Sequence, residues 1–278
     1  MTILEPERLG FERVLTIGAH PDDAEFYAGA TLALLAAVGA RVTLLVVTGG
    51  QRGSLERRTD LLATRAAEQA QAAAALGCHA HASLARMDGE LERSPALLAE
   101  LVLAIRRERP DLVLTHDPRT RFTVVDGITQ PGHSDHRATG EAVLDAVMPR
   151  APNPNFFPEQ LEGTGLRPWY PREVWLFDSA EPDAAVAVAP ARERKLAALR
   201  AHASQNGHDL LVHEAERRGD EGLVRLVLYR RGGEPEAARV PGRRVGAVLR
   251  GARAWGARRW PSSLTRCLEP STTSGPSA

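Results

Sequence analysis

A histidine and two adjacent carboxylates follow a short apolar run near the start of the chain. Residues 14–18 read Val-Leu-Thr-Ile-Gly, and His20, Pro21, Asp22 and Asp23 come shortly after them. A run of this kind predicts a buried parallel strand, and ligands of open α/β sheets bind beyond the carboxyl ends of such strands. An imidazole and carboxylates packed this closely need a cation or a proton between them. The segment therefore predicts a reaction centre with a bound metal ion.

A second polar cluster stands far downstream, immediately before a helical pattern over residues 138–147. It contains His133, Asp135 and His136. Because His133 and His136 are three residues apart, they can face one cavity from a turn or a first helical turn. One of them could then bind a metal while the other remains free for catalysis. Two histidines and one carboxylate form a typical catalytic zinc site with an open fourth position, and the two segments together offer that set.

Both clusters match the motifs of one protein family. Residues 19–23 read Ala-His-Pro-Asp-Asp, and residues 133–136 read His-Ser-Asp-His. With these A-H-P-D-D and H-x-D-H motifs, the sequence resembles the LmbE-like, or PIG-L, family of zinc-dependent N-acetylglucosaminyl de-N-acetylases. Further matches lie at residues 48–53, 65–77, 87–89, 115–118 and 195–205. The resemblance extends from about residue 12 to about residue 230.

The resemblance implies specific roles for the residues of the first motif and for one histidine of the second. It implies a metal bound by His20, Asp23 and His136, with Asp22 left off the metal as the general base. A bound divalent ion lowers the pKa of its water toward about 7, so that a neighbouring carboxylate can take the remaining proton during attack on an amide. The implied cofactor is Zn²⁺, and a set of two histidines and one carboxylate also accepts Fe²⁺.

Four further residues have roles implied by the resemblance, and two of them have plainer alternatives. A protonated His133 would stabilise the carbonyl oxygen, and Asp135 would orient a histidine. Asp88 and Arg65 would contact sugar hydroxyls or an anionic neighbour. Asp88, however, precedes a glycine in a strong turn signal and could serve the turn alone. Arg65 could equally belong to the solvated face of a charged helix.

Structural explanations also exist for other polar residues. Asp22 or Asp23 could cap the helix that follows, although a second cluster of suitable ligands argues against a purely structural role. His116 ends a strand and could enter the pocket, but a loop histidine that is hydrogen-bonded to the backbone is the commoner outcome. Lys195 is the only lysine in the chain. Nothing in its surroundings indicates a Schiff base, so we expect a structural or supporting role.

Apolar strand-like runs alternate with Ala/Leu-rich helical patterns along the chain. The strand-like runs fall at residues 14–18, 42–47, 80–84, 112–115, 174–177, 185–188 and 223–229, and the helical patterns at 24–38, 59–76, 95–107, 138–147 and 192–203. This alternation is typical of βαβ units. It predicts an α/β fold with a Rossmann-like, doubly wound, mostly parallel sheet and helices on both faces.

The chain divides into one predicted domain and a tail. Residues 1–231 are expected to form the deacetylase-like domain, which is long and apolar enough to bury a core. Within it, residues 149–171 lack periodicity and are expected to form a lid or rim, and residues 121–131 are expected to rim the site as well. Residues 232–278 form a predicted arginine-rich, partly ordered extension, in which residues 239–259 carry seven arginines and no acid.

The composition argues against some classes of partner. With 35 basic and 35 acidic residues the formal net charge is zero, so there is no global attraction to nucleic acid or to an anionic membrane. No apolar stretch reaches the ~18 residues of a membrane span. The start of the chain has no signal-peptide pattern, and Cys78 and Cys267 suggest no disulfide framework. We therefore expect a cytoplasmic protein. The family resemblance implies a small glycoconjugate as its partner, and the sequence does not indicate the oligomeric state.

Two functions from different classes remain open. The first, implied by the resemblance, is a hydrolase that removes an acetyl or longer acyl group from an N-acylglucosamine unit. Its substrate would be a small glycoconjugate, a thiol precursor or a natural product such as a glycopeptide antibiotic. The second is a non-catalytic α/β module that binds a nucleotide or an anionic partner. No G-x-G-x-x-G follows the first strand, and carboxylates stand where a pyrophosphate would need backbone donors, so the sequence favours the hydrolase.

Overall fold

The computed structural model describes residues 1–125 and 128–228, and the predicted extension at 232–278 lies outside them. The strands of the described part are β1 (Thr2–Leu4), β2 (Arg13–Gly18), β3 (Arg41–Thr48), β4 (Ala80–Arg86), β5 (Leu112–His116), β6 (Phe122–Val125), β7 (Ile128–Pro131), β8 (Glu173–Phe177), β9 (Ala184–Ala187) and β10 (Asp220–Val227). Its α-helices are α1 (Asp23–Ala37), α2 (Leu61–Leu76), α3 (Pro95–Glu108), α4 (Ser134–Asp145), α5 (Arg192–Ala201) and α6 (His208–Arg217). None of the helices within this part has the length and apolar character that crossing a membrane requires.

Eight of the strands form one sheet in the order β1-β9-β10-β8-β5-β2-β3-β4. Neighbouring strands are parallel except for β10, which runs antiparallel to both β8 and β9. The prediction of a mostly parallel α/β sheet is confirmed. Strand β2 lies between β3 and β5, so the winding direction of the sheet reverses there. The crevice beyond the carboxyl ends of β2 and β5 is therefore the expected place for a ligand.

Helices cover both faces of the sheet, as predicted. Helices α1, α2 and α5 pack on one face, and α3 and α4 pack on the other. Strand β3 contributes to both cores, because Leu44 and Val46 point to the first set of helices while Leu45 and Val47 point to the second. A strand buried on both faces reads as a continuous apolar run, which explains why the central strands were readable in the sequence.

Three features of the fold were not predicted. Strand β1 has only three residues, and β6 and β7 form a separate antiparallel hairpin with Phe122 and Ile128 exposed. Helix α6 is largely polar, and Ala215 is its only buried residue. Strand β1 and the hairpin bury little apolar surface, so the hydrophobic pattern of the sequence carries almost no signal for them. Helix α6 does have an apolar face, with Leu211, Val212 and Ala215 packed near Phe26, but it spans only ten residues and was missed.

The segment 149–171 lies at the opposite end of the sheet from the one that we expected. Arg106, near the end of α3, is fully buried and donates hydrogen bonds to the carbonyls of residues 150, 151, 153, 156 and 157. The indole of Trp169 donates to the carbonyl of Pro110, just before β5 begins, at 2.8 Å. The carbonyl groups of this segment accept the hydrogen bonds of the buried Arg106 guanidinium at the amino ends of the strands. The expectation of a lid or rim over the carboxyl ends is therefore wrong.

Candidate active site

A cavity of about 440 Å³ opens at the carboxyl ends of β2 and β5. Its lining comprises His20, Asp22, Asp23, Phe26, Tyr27, Arg52, Gly53, Ser54, Leu55, Arg65, Asp88, Gly89, His133, His136, Gln205, Asn206 and Leu211. The two sequence motifs, which are more than a hundred residues apart in the chain, therefore share one space. All the site residues predicted from the sequence line it except Asp135, which is fully buried behind the wall.

Asp23, the first residue of α1, lies at the centre of the polar cluster. Its Oδ2 accepts a hydrogen bond from the main-chain N–H of His20 at 2.7 Å and lies 3.1 Å from Nε2 of His116. Its Oδ1 lies 3.1 Å from Nε2 of His136. Burial raises the pKa of Asp23, but His136 and His116 outweigh burial and hold this pKa well below its usual range. Asp23 is therefore an ionised carboxylate held by three partners.

Asp22 precedes α1 with a backbone φ of 100°, in the left-handed region that favours glycine. Its side chain makes no capping hydrogen bond to the helix, so capping does not explain it. The residue is only 6% exposed, and its Oδ2 lies 3.4 Å from Nη2 of Arg65. Burial raises the pKa of Asp22 to about 6, although Arg65 opposes the rise. A carboxyl group with such a pKa suits general base catalysis near neutral pH.

Arg65 lies beneath the first motif and not on a solvated face. The side chain is fully buried, and it donates hydrogen bonds to the carbonyls of Pro21, at 2.6 Å, and Gly50, at 2.9 Å. A Cβ atom built on Gly53 would lie 2.3 Å from Nη1 of Arg65, so the loop after β3 needs glycine to approach this closely. Arg65 thus links the loop after β3 to the backbone next to Asp22.

His20 is held by two carboxylates from different parts of the chain. Its Nε2 lies 3.2 Å from Oδ1 of Asp88 and 3.4 Å from Oδ2 of Asp135. Burial lowers the pKa of His20, but the neighbouring carboxylates raise it well above its ordinary value. Asp88 also accepts a hydrogen bond from the main-chain N–H of Arg52, at 3.1 Å, and Asp135 accepts one from that of Gly89, at 2.7 Å. Asp88 therefore contacts the candidate ligand set and does more than form a turn.

His133 stands at the start of α4, with its ring 4.4 Å from that of His20 between centroids. Its Nδ1 accepts a hydrogen bond from the main-chain N–H of Asp135, at 3.2 Å. Because Nδ1 is an acceptor, this hydrogen-bond network assigns the proton of the neutral imidazole to Nε2. Burial and the neighbouring His20 and His136 lower the pKa of His133. The exposed ring of His133 is therefore a neutral hydrogen-bond donor at the cavity.

Two residues outside both motifs belong to the same cluster. Asp178 follows β8, and its Oδ2 lies 3.0 Å from Nδ1 of His136. His116 ends β5 and is fully buried, and its Nε2 lies 3.2 Å from the main-chain nitrogen of Ala19 and 3.1 Å from Oδ2 of Asp23. Burial lowers the pKa of His136, but Asp23 and Asp178 raise it to about 9. Sequence reasoning missed Asp178 and left His116 open, although both stand at the carboxyl end of a strand, and that position was the available signal.

The donor atoms of the cluster fit a metal ion. Within the described residues, three groups have donor atoms that all lie within 4.8 Å of one another: His20, His133 and Asp135; His20, Asp23 and His136; and His116, His136 and Asp178. The second group is the set implied by the sequence. Two atoms bound tetrahedrally at about 2.0–2.1 Å from one ion lie about 3.4 Å apart, and Nε2 of His136 and Oδ1 of Asp23 are 3.1 Å apart. In addition, the buried Nε2 of His20 has no well-directed hydrogen bond.

The rest of the lining was not predicted. It comes from the loop after β3, from the segment after α5 and from α6, and includes Arg52, Leu55, Gln205, Asn206 and Leu211. The described residues of 121–131 and of 149–171 do not contribute to it. The surfaces that would contact a substrate therefore lie in the 50–55 loop and around α6.

A doubly wound α/β sheet with buried histidines and carboxylates beyond its strands is typical of a metal-dependent hydrolase. The chain belongs to the PIG-L family, described as GlcNAc-PI de-N-acetylase, whose model matches residues 15–147. The matched span begins in β2 and ends just after α4, so it contains both motifs. The family resemblance seen in the sequence is confirmed.

Named relatives and a solved structure agree with this family. The diacetylchitobiose deacetylase of Thermococcus kodakarensis is 32% identical over 202 residues, which cover 72% of each chain. A 1D-myo-inositol 2-acetamido-2-deoxy-alpha-D-glucopyranoside deacetylase of Catenulispora acidiphila is 30% identical over 175 residues, which are 53% of this chain and about half, 51%, of the relative. The structure of the N,N'-diacetylchitobiose deacetylase of Pyrococcus horikoshii matches 81% of this chain and 87% of its own, with a TM-score of 0.70 and 27% identity.

Proposed function

We propose that this protein is a metal-dependent N-deacetylase, which removes an acetyl or longer acyl group from the amine of an N-acylglucosamine unit. The observation that carries the proposal is the group formed by His20, Asp23 and His136, whose donor atoms lie within 4.8 Å of one another beside the buried Asp22. Membership of the PIG-L family and the deacetylase names of the relatives support the same reaction.

His20, Asp23 and His136 would hold the metal ion, which we propose to be Zn²⁺, with Fe²⁺ as the second candidate. When bound, such an ion polarises an amide carbonyl and lowers the pKa of a water molecule. Two imidazoles and one carboxylate leave a coordination position open, as hydrolysis requires. Asp22 stands outside this set, because its carboxylate contacts Arg65.

Asp22 is proposed as the general base. It lines the cavity next to Asp23, so its carboxylate and the ligand set face the same space. As water attacks the amide carbon, Asp22 accepts a proton from that water and then donates it to the departing amine, which leaves a carboxylic acid and a free amine. The hydrogen bond from Arg65 to the carbonyl of Pro21 keeps the backbone of this segment in place.

His133 is proposed to donate a hydrogen bond to the carbonyl oxygen as negative charge develops on it. The main-chain N–H of Asp135 occupies Nδ1 of His133, so Nε2–H is the donor left for the cavity. This arrangement favours a neutral imidazole over the protonated His133 that we expected from the sequence. A donor of this kind typically contributes about 3 kcal/mol to stabilising the transition state.

The lining supports a substrate with a polar sugar and a small apolar acyl group. Asp88 lies beside His20, at one end of the ligand set. Tyr27 lies at the other end, where its ring centroid is 6.2 Å from that of His136. Relatives named for diacetylchitobiose and for an inositol glycoside of N-acetylglucosamine make small glycoconjugates the preferred class. Thiol precursors and glycopeptide antibiotics are narrower candidates. We place the reaction in the cytoplasm, where the thiol of Cys78, which pairs with no cysteine among the described residues, would stay reduced.

The proposal is tested by measuring bound metal and acetate release on the same samples. Wild type, His136→Ala, Asp22→Asn and the control His79→Ala are loaded with Zn²⁺ and assayed with N,N'-diacetylchitobiose. His79 is a suitable control because it is exposed and precedes β4, at the far end of the sheet. We expect near-stoichiometric metal in all variants except His136→Ala, and acetate release only from wild type and His79→Ala.

Other outcomes would change the proposal in defined ways. Metal binding without acetate release from wild type would keep the metal site and direct the search to larger N-acyl glucosamine conjugates. Asp22→Asn with wild-type activity would contradict the role given to Asp22. A wild-type protein that binds no zinc or iron would contradict the hydrolase and favour a non-catalytic binding module.

A further inference from the structure

His116 and Asp178, which neither motif includes, lie behind Asp23 and His136 and do not line the cavity. His116 is the last residue of β5, and Asp178 directly follows β8, the strand paired with β5. The His116 side chain is fully buried, and that of Asp178 is 10% exposed. A buried imidazole and a nearly buried carboxylate are costly unless they are paired, so the partners of this pair indicate what it does.

Asp23, His116, Asp178 and His136 form a closed ring in which carboxylates and imidazoles alternate. Nε2 of His136 lies 3.1 Å from Asp23 and its Nδ1 lies 3.0 Å from Asp178. Nε2 of His116 lies 3.1 Å from Asp23 and its Nδ1 lies 3.6 Å from Asp178. The two imidazoles stack between the carboxylates, with ring centroids 4.0 Å apart and planes inclined by 24°.

Asp178 determines which nitrogen of His136 is free. An ionised carboxylate only accepts hydrogen bonds, so Nδ1 of His136 must carry the proton that it shares with Asp178. In the neutral ring, Nε2 then presents its lone pair toward Asp23, and this is the form in which an imidazole binds a metal. Without Asp178, the ring could exchange its proton between the two nitrogens and rotate about χ2.

His116 helps to determine which oxygen of Asp23 faces His136. Oδ2 of Asp23 receives the main-chain N–H of His20 at 2.7 Å and lies 3.1 Å from Nε2 of His116. Oδ1 makes neither of these contacts and faces His136 instead. Oδ2 of Asp23 therefore contacts other groups of the protein, and Oδ1 is directed at the proposed metal position.

The backbone at Asp178 is held in an unusual conformation. Its φ is 56°, in the left-handed region that few residues other than glycine adopt. Residues on both sides are anchored, since the main-chain N–H of Asp117 donates to the carbonyl of Phe177 at 2.8 Å and the hydroxyl of Ser179 donates to Asp117 at 2.7 Å. Strained residues persist where the surrounding structure fixes them, commonly at functional sites.

We propose that Asp178, assisted by His116, is a positioning residue that orients His136 and Asp23 for metal binding. The inference rests on the proposed function, because it requires a metal at His20, Asp23 and His136. Asp178 would act through His136 and would not touch the metal or the substrate. The sequence assigned to Asp135 the role of orienting a histidine, and its carboxylate lies 3.4 Å from Nε2 of His20. The carboxylate that contacts His136 is Asp178.

The test measures metal affinity directly in the full-length protein. Asp178→Ala and Asp178→Asn are compared with wild type and with the control Asp111→Asn, by titration of Zn²⁺ against a chromophoric chelator. Loss of an outer partner of a metal-binding histidine typically weakens metal binding about 10- to 100-fold, and we expect this for Asp178→Ala. Asp178→Asn should fall near the lower end of that range, because its amide oxygen still accepts from Nδ1. Asp111 is a half-buried carboxylate at the amino ends of the strands, where it accepts main-chain hydrogen bonds from Glu12 and Arg13 and contacts no histidine, so its variant should bind like wild type.

A spectroscopic readout separates positioning from general destabilisation. The visible absorption of the Co²⁺-loaded protein reports ligand geometry, and we expect it to change in Asp178→Ala and not in Asp111→Asn. Unfolding of the metal-free variants is followed by circular dichroism, and if Asp178→Ala does not fold, Asp178→Asn provides the test. Wild-type affinity and spectrum in the folded Asp178 variants would overturn the inference.

Two further results distinguish failure of this inference from failure of the proposed function. If wild type binds no metal, the proposed function fails. If Asp178→Asn and His116→Ala abolish binding while Asp23→Asn retains it, the ion binds at His116, His136 and Asp178 instead, and the positioning role is wrong.

Discussion

Asp22 combines a left-handed backbone with a buried carboxyl group. A non-glycine residue in such a conformation costs roughly 1–3 kcal/mol, and the side chain recovers no capping hydrogen bond from α1. The conformation instead directs the carboxylate to the cavity while Asp23, the next residue, enters the ligand set. At the residue scale, the site is therefore expected to reduce the stability of the fold at the position where it needs a base.

Replacing Asp22 by glycine or by alanine should separate these two properties. Both variants lose the carboxylate, so we expect neither to release acetate from N,N'-diacetylchitobiose. Glycine adopts the left-handed conformation freely and alanine does not, so Asp22→Gly should exceed Asp22→Ala in free energy of unfolding by about 1–2 kcal/mol. Urea denaturation of the metal-free proteins measures the difference. Equal stabilities would show that residue 22 is not strained in solution.

Sequence reasoning read the clustered site residues directly, found the isolated Arg65 and Asp88 only through the family resemblance, and missed Asp178. His20, Asp22 and Asp23 are neighbours in the chain, so their types and spacing could be read directly. Asp178 is a single carboxylate after a strand, and its contact with His136 depends on the order in which β2, β5 and β8 lie in the sheet. That order is set by tertiary packing, which a single sequence does not display.

At the scale of elements, α6 shapes the part of the cavity near Tyr27. Leu211 of α6 lines the cavity together with Phe26 and Tyr27 of α1. These side chains form an apolar wall, whereas Asp88 and Arg52 bring polar groups from the loops after β4 and β3. We expect the acyl group of the substrate to lie against the apolar wall.

Truncating Leu211 should therefore change the preference for acyl length. Each methylene buried against an apolar wall contributes about 0.8 kcal/mol, or roughly fourfold in affinity. For Leu211→Ala we expect the ratio of kcat/KM for N-butanoyl- to N-acetylglucosaminides to fall several-fold. Leu210→Ala is the matched control, since Leu210 is 41% exposed and does not line the cavity. An unchanged ratio in Leu211→Ala would place the acyl group elsewhere.

The elements that the sequence predicted are those with a strong hydrophobic signal. The central strands and the helices that cover them are rich in buried apolar side chains, so their positions were readable within a few residues. Helix α6 buries only Ala215, and segment 149–171 is organised by the guanidinium of Arg106. Polar contacts over such distances leave no periodic trace, which is why segment 149–171 was expected at the wrong end of the sheet.

At the scale of the whole molecule, one buried ion pair joins the antiparallel strand to the helix that starts the site. Lys195 of α5 donates to Glu221 of β10 at 2.7 Å and to the carbonyl of Phe26 in α1 at 2.5 Å. Glu221 in turn accepts the main-chain N–H groups of Ala30 and Thr31 at 2.7 and 2.8 Å. The only lysine of the chain therefore lies in the core and has a structural role.

Lys195→Met should destabilise the entire domain. The variant leaves Glu221 buried without its cation, and breaking a buried pair in this way costs about 3–5 kcal/mol. Arg200→Ala removes an exposed pair with Glu216 and should change the free energy of unfolding by about 0.5 kcal/mol or less. Chemical denaturation compares the two. A small effect of Lys195→Met would show that the helix ends and the sheet do not depend on this pair.

The candidate metal ligands come from segments of the chain that meet only when the central sheet is assembled. His20 and Asp23 follow β2, while His136 belongs to α4, beyond β5 and the β6–β7 hairpin. The unfolded chain thus lacks the site, and an ion bound by the folded form shifts the folding equilibrium by mass action. At a free zinc concentration 100 times the dissociation constant, the shift is about 2.7 kcal/mol. We expect Tm to rise with zinc in wild type and much less in His136→Ala, so the supply of metal would govern how much of this chain is folded as well as how fast it works.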